Sequence, residues 1–308
     1  MKIENKGLLL EGEVSITDQF KGSEELHEVI IPDYVKRIED EAFSQCVNLK
    51  RVVLPRGLEY IGKNAFSSCE SIEEIEVPDT VTHIGQGAFY CCESLKYLIL
   101  PSGLKVIPKE LCFCCFKLIG ITVPDGTLEI GERAFSACWE MESVSLPTGL
   151  KKIGEQAFFG CRKIGELFLP DTLVEIGIGA FEDCFELRRI EIPRGVRSLA
   201  DSTFAGCGNL ESVGLQEGLE EIGKNVFSTC RELYDILLPK TLKTIDDYAF
   251  EFCTELGKIF IPINVEYMGF CVFWQSNAQV LCQTESKPSG WDQDWASSLD
   301  KYSWGNKE

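Results

Sequence analysis

The chain has 308 residues, of which 49 are acidic and 30 are basic, so its formal net charge at pH 7 is −19. This charge argues against binding to nucleic acid or to an anionic membrane surface, because both require clustered lysine and arginine. With 44% hydrophobic and 26% charged residues, the composition is typical of a folded globular protein and not of a disordered one.

Residues 1–16 are predicted to form one or two opening strands, at residues 8–10 and 14–16, that cap the rest of the chain. Their longest apolar run is three leucines, whereas a signal peptide needs ~7–15 apolar residues. No later stretch approaches the ~18 apolar residues of a membrane span. The sequence therefore predicts no membrane insertion and, in the absence of a signal peptide, a cytoplasmic location.

From Phe20 to Phe273 the sequence repeats with a constant 23-residue period, without insertion or deletion. Phenylalanine recurs at Phe20, Phe43, Phe66, Phe89, Phe135, Phe158, Phe181, Phe204, Phe227, Phe250 and Phe273. Cysteine recurs at Cys46, Cys69, Cys92, Cys115, Cys138, Cys161, Cys184, Cys207, Cys230 and Cys253. A fixed period is the signature of stacked repeats, so we predict one array of twelve coils and not two domains of ~150 residues.

One copy reads A-F-x-x-C-x-x-L-x-x-I-x-I-P-x-x-L-x-x-I-G-x-x, as it does from Ala157 onward. The A-F-x-x-C segment spaces its apolar residues three apart, which predicts one short helical or 3-10 turn. The end of L-x-x-I-x-I alternates as a strand does, and the proline then ends that strand because it has no N–H for a ladder. The Ile-Gly pair predicts a second bend.

A single repeat unit is too short to bury its own apolar face, but stacked units can do so. An equal period places the same residue of each copy in one column, at the parallel-strand spacing of ~4.8 Å. The sequence therefore predicts short parallel strands, one per coil, above continuous columns of interior phenylalanine and cysteine.

The period, the L-x-x-I-x-I-P strand and the I-G-x-x-A-F-x-x-C turn resemble those of BspA-like leucine-rich repeat proteins over about residues 14–284. The resemblance implies a single elongated, curved solenoid with its parallel strands on the concave face. It divides the chain into opening strands at 1–16, a solenoid at 17–284 and an aromatic C-terminal cap at 285–308.

Proteins of this family serve protein–protein contact, and several are surface proteins that bind host matrix components. The resemblance therefore implies a non-enzymatic binding module, with host adhesion and a cell-surface or secreted location as an alternative to the cytoplasm. We expect a monomer or a weak oligomer. A structural spacer or cell-envelope scaffold without a specific ligand is the alternative function.

The residues between the apolar letters of each strand point away from the core and form two outward columns. One column is Ile30, Val53, Glu76, Ile99, Thr122, Ser145, Phe168, Glu191, Gly214, Leu237 and Phe260. The other is Glu28, Arg51, Glu74, Tyr97, Gly120, Ser143, Glu166, Arg189, Ser212, Asp235 and Lys258. Exposed apolar residues on a sheet mark partner sites, although strand propensity alone also favours them. We predict a partner-binding surface of Tyr97, Ile99, Phe168, Leu237 and Phe260, with Arg51 and Arg189 as polar contacts.

The chain has 15 cysteines, and ten of them form the repeating column, where a small buried thiol packs well. A less regular group comprises Cys91, Cys92, Cys112, Cys114 and Cys115. Cys91 and Cys114 share one column and should be neighbours, so a labile disulfide or soft-metal site is the alternative to simple packing. A minor metal or redox role of this group remains open.

Catalytic motifs are absent from the sequence. The only two histidines, His27 and His83, have no nucleophile elbow beside them, and there is no phosphate loop or dinucleotide fingerprint. The tail carboxylates Asp292, Asp294 and Asp300 lack the glycine and the closing glutamate of a calcium loop. We therefore predict no enzyme activity, no cofactor and no resident metal, and a protein as the partner.

Overall fold

A computed structural model describes residues 14–299 and 301–306 of the chain. The chain divides into two compact units, Met1–Gly149 and Leu150–Glu308, called the N-terminal and C-terminal units. Each is a stack of coils joined by parallel strand pairs, which confirms the predicted repeat solenoid. None of the helices in the described ranges has the length and apolar character needed to span a membrane.

The opening of the chain is described from residue 14 onward. The strand predicted at residues 8–10 lies outside the described residues, whereas the next one is present as β1 (Ser15–Ile16). A 3-10 helix, Asp18–Phe20, follows β1 and buries Phe20. The first phenylalanine of the repeating series is therefore already part of the core.

The L-x-x-I-x-I segments form most of the first set of strands, whose members pair in parallel in groups of two or three. In the N-terminal unit these strands are β2 (Glu28–Ile30), β4 (Arg51–Val53), β6 (Glu74–Glu76), β8 (Tyr97–Ile99), β10 (Gly120–Thr122) and β12 (Ser143–Ser145). In the C-terminal unit they are β15 (Arg189–Glu191), β17 (Ser212–Gly214), β19 (Asp235–Ile236), β21 (Lys258–Ile261) and β23 (Gln279–Cys282), and the tail adds β24 (Lys301–Ser303) beside β23. The copy before β15 has only an isolated bridge, from Glu166 to Arg189. The pairing register advances by one sequence period per coil, as between Glu74 and Tyr97, except in the pairs of β21 with β23 and of β23 with β24, where the advance is shorter.

A second set of two-residue strands occupies the position where the sequence predicted only a bend. In the N-terminal unit these are β3 (Arg37–Ile38), β5 (Tyr60–Ile61), β7 (His83–Ile84), β9 (Val106–Ile107) and β11 (Glu129–Ile130). In the C-terminal unit they are β13 (Lys152–Ile153), β14 (Glu175–Ile176), β16 (Ser198–Leu199), β18 (Glu221–Ile222), β20 (Thr244–Ile245) and β22 (Tyr267–Met268).

The glycine of the Ile-Gly pair is needed because a side chain at this position would collide with the preceding coil. A Cβ on Gly62 would lie 2.5 Å from the backbone nitrogen of Asp40 in the preceding coil. The absence of a side chain therefore lets two backbones approach closely just after those strands of the second set that glycine follows. The bend follows this strand and does not replace it.

The A-F-x-x-C segments are separate hydrogen-bonded turns and do not continue as helices. The Cys69 N–H donates to the Phe66 carbonyl at 3.3 Å, while the Phe66 N–H donates to Ala88 of the next coil at 2.8 Å. The residues before the alanine and before the cysteine have positive φ, 52° at Asn64 and 56° at Ser68. Left-handed residues interrupt a right-handed helix, so the amides bond to the adjacent coil instead.

Two interior columns fill each unit. Phe43 stacks on Phe66 with ring centroids 5.2 Å apart in the N-terminal unit, and Phe204 stacks on Phe227 at 5.9 Å in the C-terminal unit. The column cysteines are buried, and their thiols also donate to the carbonyl of the aligned turn in the preceding coil. This bond is formed by Cys46, Cys69, Cys92, Cys115, Cys138, Cys184, Cys207, Cys230 and Cys253, at sulfur–oxygen distances from 3.0 to 3.3 Å.

The aromatic tail, predicted as a cap, covers the end of the phenylalanine column. Trp291 and Trp295 are buried, and their ring centroids are 5.1 Å apart. Trp295 meets the edge of Phe273, the last phenylalanine of the series, at 6.4 Å. Tyr302 and Trp304 pack on the same rings, so apolar coil ends are covered by tail aromatics.

Candidate partner-binding surface

The strands of the first set present alternate residues outward, because side chains of a strand point to opposite sides. In β6 and β8 the central residues Ile75 and Leu98 are buried, whereas the residues on either side are exposed. The outward side of these strands is called the first strand face. It includes the aligned outward positions of copies with a shorter strand or a single bridge, such as Leu237 after β19 and Phe168 after the bridge at Glu166. It is the face on which the sequence predicted partner binding.

In the N-terminal unit two of the predicted residues lie side by side on one strand. Tyr97 and Ile99 are both 58% exposed, and they stand in register with Glu74 and Glu76 of β6. The third, Arg51, is exposed but its guanidinium bonds Glu28 at 2.6 Å. Arg51 is therefore already paired on the protein surface, and only part of its hydrogen-bonding capacity faces solvent.

A depression of about 770 Å³ borders Tyr97 and Ile99 on the N-terminal unit. Small outward residues of β10 and β12, the two following strands, form part of its lining: Gly120, Thr122, Ser143 and Ser145. Its rim also includes Leu100, Ser102, Pro124 and Asp125. These short side chains leave Val144, the central residue of β12, half-buried, whereas the central residues of β6 and β8 are buried. The depression is called the strand trough below.

In the C-terminal unit the predicted apolar residues lie in two places: Phe168 in one, and Leu237 and Phe260, one repeat apart, in the other. Phe168 is 80% exposed and Leu237 is 76% exposed, and they occupy the same position three repeats apart. At ~4.8 Å per coil this corresponds to roughly 14 Å. Phe260 is half-buried in β21, paired with Leu281 of β23, so it contributes less surface than predicted.

Arg189 is the more available of the two predicted arginines. Its side chain is 75% exposed, and its nearest carboxylate is that of Glu211 at 3.9 Å. Glu211 is bonded more closely by Arg188, at 2.7 Å. The guanidinium of Arg189 is therefore available to a carboxylate or carbonyl of a partner.

The sequence prediction missed aromatic residues on and beside the A-F-x-x-C turns, some of them half-buried and some exposed. Tyr90 stacks on Phe113 at 5.0 Å, and Phe116 stacks on Trp139 at 4.1 Å in the N-terminal unit. In the C-terminal unit Tyr248, Phe270 and Trp274 surround a depression of about 540 Å³ beside Cys271. The signal was present in the sequence as aromatic residues that recur at neighbouring turn positions.

Of the irregular cysteine group, the structure brings Cys91 and Cys114 together on adjacent turns. Both are half-buried, and the Cys91 N–H bonds the Phe113 carbonyl at 2.8 Å, which sets the two residues side by side. Burial and the adjacent Cys114 raise the pKa of the Cys91 thiol to about 12. Cys92, Cys112 and Cys115 are buried in the core and are not part of this surface pair.

Neither histidine lies in a catalytic arrangement. His83 begins strand β7, is exposed, and stacks on Tyr60 at 4.8 Å. His27 lies 3.3 Å from the carbonyl of Asn48 through its Nδ1 atom. Within residues 14–299 and 301–306 no three histidine, cysteine or acidic side chains are grouped in a way that suits a metal ion.

The fold and its constant repeat register define a leucine-rich repeat protein. The family model of the BspA type leucine rich repeat region (6 copies) matches residues 16–139, 109–194, 128–237 and 152–280. The chain therefore belongs to the BspA-type leucine-rich repeat family. Leucine-rich repeat folds generally mediate protein interaction.

Solved structures of bacterial proteins resemble the chain over most of its length. A leucine-rich repeat protein from Bacteroides ovatus is 25% identical, with a TM-score of 0.66, and the match covers 94% of this chain and 87% of that one. A leucine rich cell surface protein from Faecalibacterium prausnitzii is 23% identical, with a TM-score of 0.59 and coverages of 92% and 88%. The pneumococcal vaccine antigen PcpA is 23% identical, with a TM-score of 0.52 and coverages of 92% and 69%. A comparison with curated proteins gave no match.

Proposed function

We propose that the chain is a non-enzymatic module that binds a protein partner through its first strand face. The observation that carries this proposal is the exposure of Phe168 and Leu237, large apolar side chains at positions that the core does not use. The exposed side chains of Tyr97 and Ile99 support the proposal in the same way in the N-terminal unit. Isolated apolar residues are common on surfaces, but aromatic and aliphatic anchors in a sheet face are typical of partner sites.

We also propose that the protein acts at the cell surface or outside the cell, and not in the cytoplasm. Two similar structures support this, since one is described as a cell surface protein and the other as a vaccine antigen. Host adhesion is the corresponding biological role. Fractionation of the source cell, with unfractionated lysate as the control, tests the location, and recovery only in the soluble cytoplasmic fraction would contradict it.

The binding proposal is tested by panning the full chain against a phage library of random dodecapeptides. Enriched peptides are synthesised, and their Kd is measured for the wild type and for Ile99→Lys and Leu237→Lys. A lysine at an apolar anchor places a charge in a desolvated contact, so we expect Kd to rise about tenfold or more for peptides bound in that unit.

Val106→Lys and Val174→Lys are the matched controls. Both valines are about half exposed, and they lie at the second set of strands, away from the first strand face. The controls should leave Kd within about twofold, as surface changes outside an interface do. Equal losses for controls and test variants would contradict the proposal, and absence of any enriched peptide would favour the structural spacer.

The second candidate, a minor metal or redox role, is favoured by the pairing of Cys91 and Cys114 on adjacent turns. Two adjacent thiols suit a disulfide or a two-coordinate soft metal ion better than zinc, which takes four ligands. Elemental analysis and thiol titration of protein purified without oxygen test this role. Absence of stoichiometric metal together with fifteen titratable thiols in the unfolded protein would dismiss it.

A further inference from the structure

We propose that the strand trough of the N-terminal unit binds an extended, basic protein segment that carries one large apolar side chain next to lysine or arginine. This inference rests on the proposed function and adds the chemistry of the partner. Three features of the trough support it: one apolar wall, a floor left open by small residues, and a flank of carboxylates.

The apolar wall is formed by Tyr97 and Ile99, which project from the same strand and border the trough. The tyrosine ring offers a flat apolar surface with a polar hydroxyl, and the isoleucine extends that surface along the strand. Side chains of this kind, held on a strand, lose little conformational entropy when a partner binds. They are suited to contact one apolar side chain of a partner.

The floor is open because β10 and β12 carry glycine, serine and threonine at their outward positions. A Cβ on Gly120 would lie 2.5 Å from Ser143 Oγ and 3.0 Å from the Ser143 carbonyl oxygen, so the strands are closely apposed there. The half-buried Val144 and the buried Ile121 lie beneath them. A partner side chain in the trough covers Val144 and excludes water from it, which favours an apolar residue.

The acidic flank is formed by Glu74 and Glu76, in register with Tyr97 and Ile99 on the adjacent strand. Both are exposed, and within the described part of the chain no ion pair holds them, unlike Glu73, which bonds Lys96 at 2.8 Å. The outward residues of β6, β8, β10 and β12 include no lysine or arginine. A basic residue of the partner therefore meets unpaired carboxylates about one coil, ~4.8 Å, from the apolar wall.

These dimensions set the pattern of the partner segment. An extended chain advances ~3.3 Å per residue, so a side chain one or two positions from the apolar residue reaches the carboxylate flank. An acidic segment meets like charges there, which costs affinity and slows association. The strand trough thus distinguishes partners by the charge beside the apolar residue and not by the apolar residue alone.

The test uses the full chain and three fluorescein-labelled octapeptides, with Kd measured by fluorescence anisotropy. One peptide has a phenylalanine flanked on both sides by lysine, the second replaces the lysines by glutamate, and the third replaces the phenylalanine by serine. We expect the first to bind about tenfold or more tightly than either of the others. Its Kd should rise with salt, because its charged contacts are exposed.

Variants of the chain assign the effect to the trough. Glu74→Gln with Glu76→Gln should weaken the first peptide about fivefold, since each exposed ion pair contributes little. Ser145→Phe fills the trough and should abolish the preference for phenylalanine over serine, and its strand position tolerates an aromatic residue. The matched control is Glu70→Gln with Glu93→Gln, which makes the same charge change at exposed positions outside the strands and should leave Kd unchanged.

Several results would overturn the inference. Equal affinity for the first peptide and the serine peptide, or an equal loss in the Glu70 and Glu93 control, would show only attraction to a chain of charge −19. No binding of any of the three peptides would also overturn it. Equal binding of the glutamate peptide, lost in Tyr97→Ala, would overturn the charge preference while leaving the proposed strand-face binding intact.

Discussion

At the scale of single residues, the column cysteines show why this chain uses cysteine where another small residue would fill the same volume. The Phe66 carbonyl accepts two hydrogen bonds, one from the Cys69 N–H in its own turn and one from Cys92 Sγ in the next coil. Cysteine is small enough for the interior and still carries a weak donor. The thiol therefore packs against the core and links adjacent coils at once.

Substitution of Cys207 tests the linking role. Cys207→Ala removes the bond to the Phe181 carbonyl, whereas Cys207→Ser keeps a donor of similar size. We expect alanine to lower the free energy of unfolding by about 1–2 kcal/mol and serine to cost less, because a lost buried hydrogen bond adds to the small cavity. Urea unfolding with an unchanged m-value measures this. If serine destabilises more than alanine, the column cysteines act by apolar packing alone.

At the scale of elements, each end of the repeat must be covered, because a coil without a neighbour exposes its interior columns. In the C-terminal unit the covering is aromatic. Trp291 is buried against Trp295 and Trp304, and its indole Nε1–H donates to the Val265 carbonyl at 3.0 Å. The tail thus supplies both apolar area and a hydrogen bond. The boundary between repeat and cap at residues 284 and 285 stays a prediction.

Removal of one buried tail ring tests the cap. Trp291→Ala should lower the free energy of unfolding by about 3–5 kcal/mol, the usual cost of a large aromatic side chain lost from a core. Trp274→Ala is the matched control, because Trp274 is 36% exposed and should cost clearly less. Thermal or urea unfolding of both variants gives the comparison, and equal costs would mean that the tail does not stabilise the repeat as a cap.

Some elements of the structure were predictable from the sequence, and others were not. The strands with an outward Tyr97 and Ile99 were predictable, because alternation and a constant period fix which side chains leave the core. The second set of strands was not, since two-residue strands such as β5 carry no alternation to recognise. The trough was also hidden, because a depression depends on what short side chains leave uncovered. Phe260 was predicted as exposed, yet it is half-buried beside Leu281.

At the scale of the whole molecule, the charge of −19 is distributed outside the interior columns. Ion pairs recur between aligned positions of neighbouring coils, as for Lys96 with Glu73 and Arg197 with Glu220. The bond to Lys96 lowers the pKa of Glu73, but both groups are exposed to solvent. Exposed pairs contribute little to stability, so the carboxylate excess contributes more to solubility than to folding.

Because its column thiols are buried, we expect the protein to lose stability at alkaline pH. Burial raises the pKa of Cys92, Cys207 and Cys230 well above the ordinary value, so the folded state keeps these protons. The unfolded chain releases them near pH ~8.5, so this stability is full below that pH and is lost as the pH rises, by at most about 1.4 kcal/mol per pH unit for each thiol.

Urea unfolding followed by circular dichroism between about pH 7 and pH 10 measures this dependence. The variant Cys207→Ser with Cys230→Ser has no thiol at two of these positions. Its stability should fall less steeply above pH ~8.5 than that of the wild type. An identical slope for both proteins would contradict the assignment to the column thiols.

The repeat, the parallel strands of the first set and the interior columns all follow from the pattern of residue types along the chain. A constant period stacks identical positions, and only one arrangement then buries every phenylalanine and cysteine of the repeating series. Tertiary structure alone decided the second set of strands, the thiol-to-carbonyl bonds between coils, the partial burial of Phe260 and the trough beside Tyr97. Each depends on the distance between neighbouring coils and on the space that side chains leave, which a linear pattern of residue types does not record.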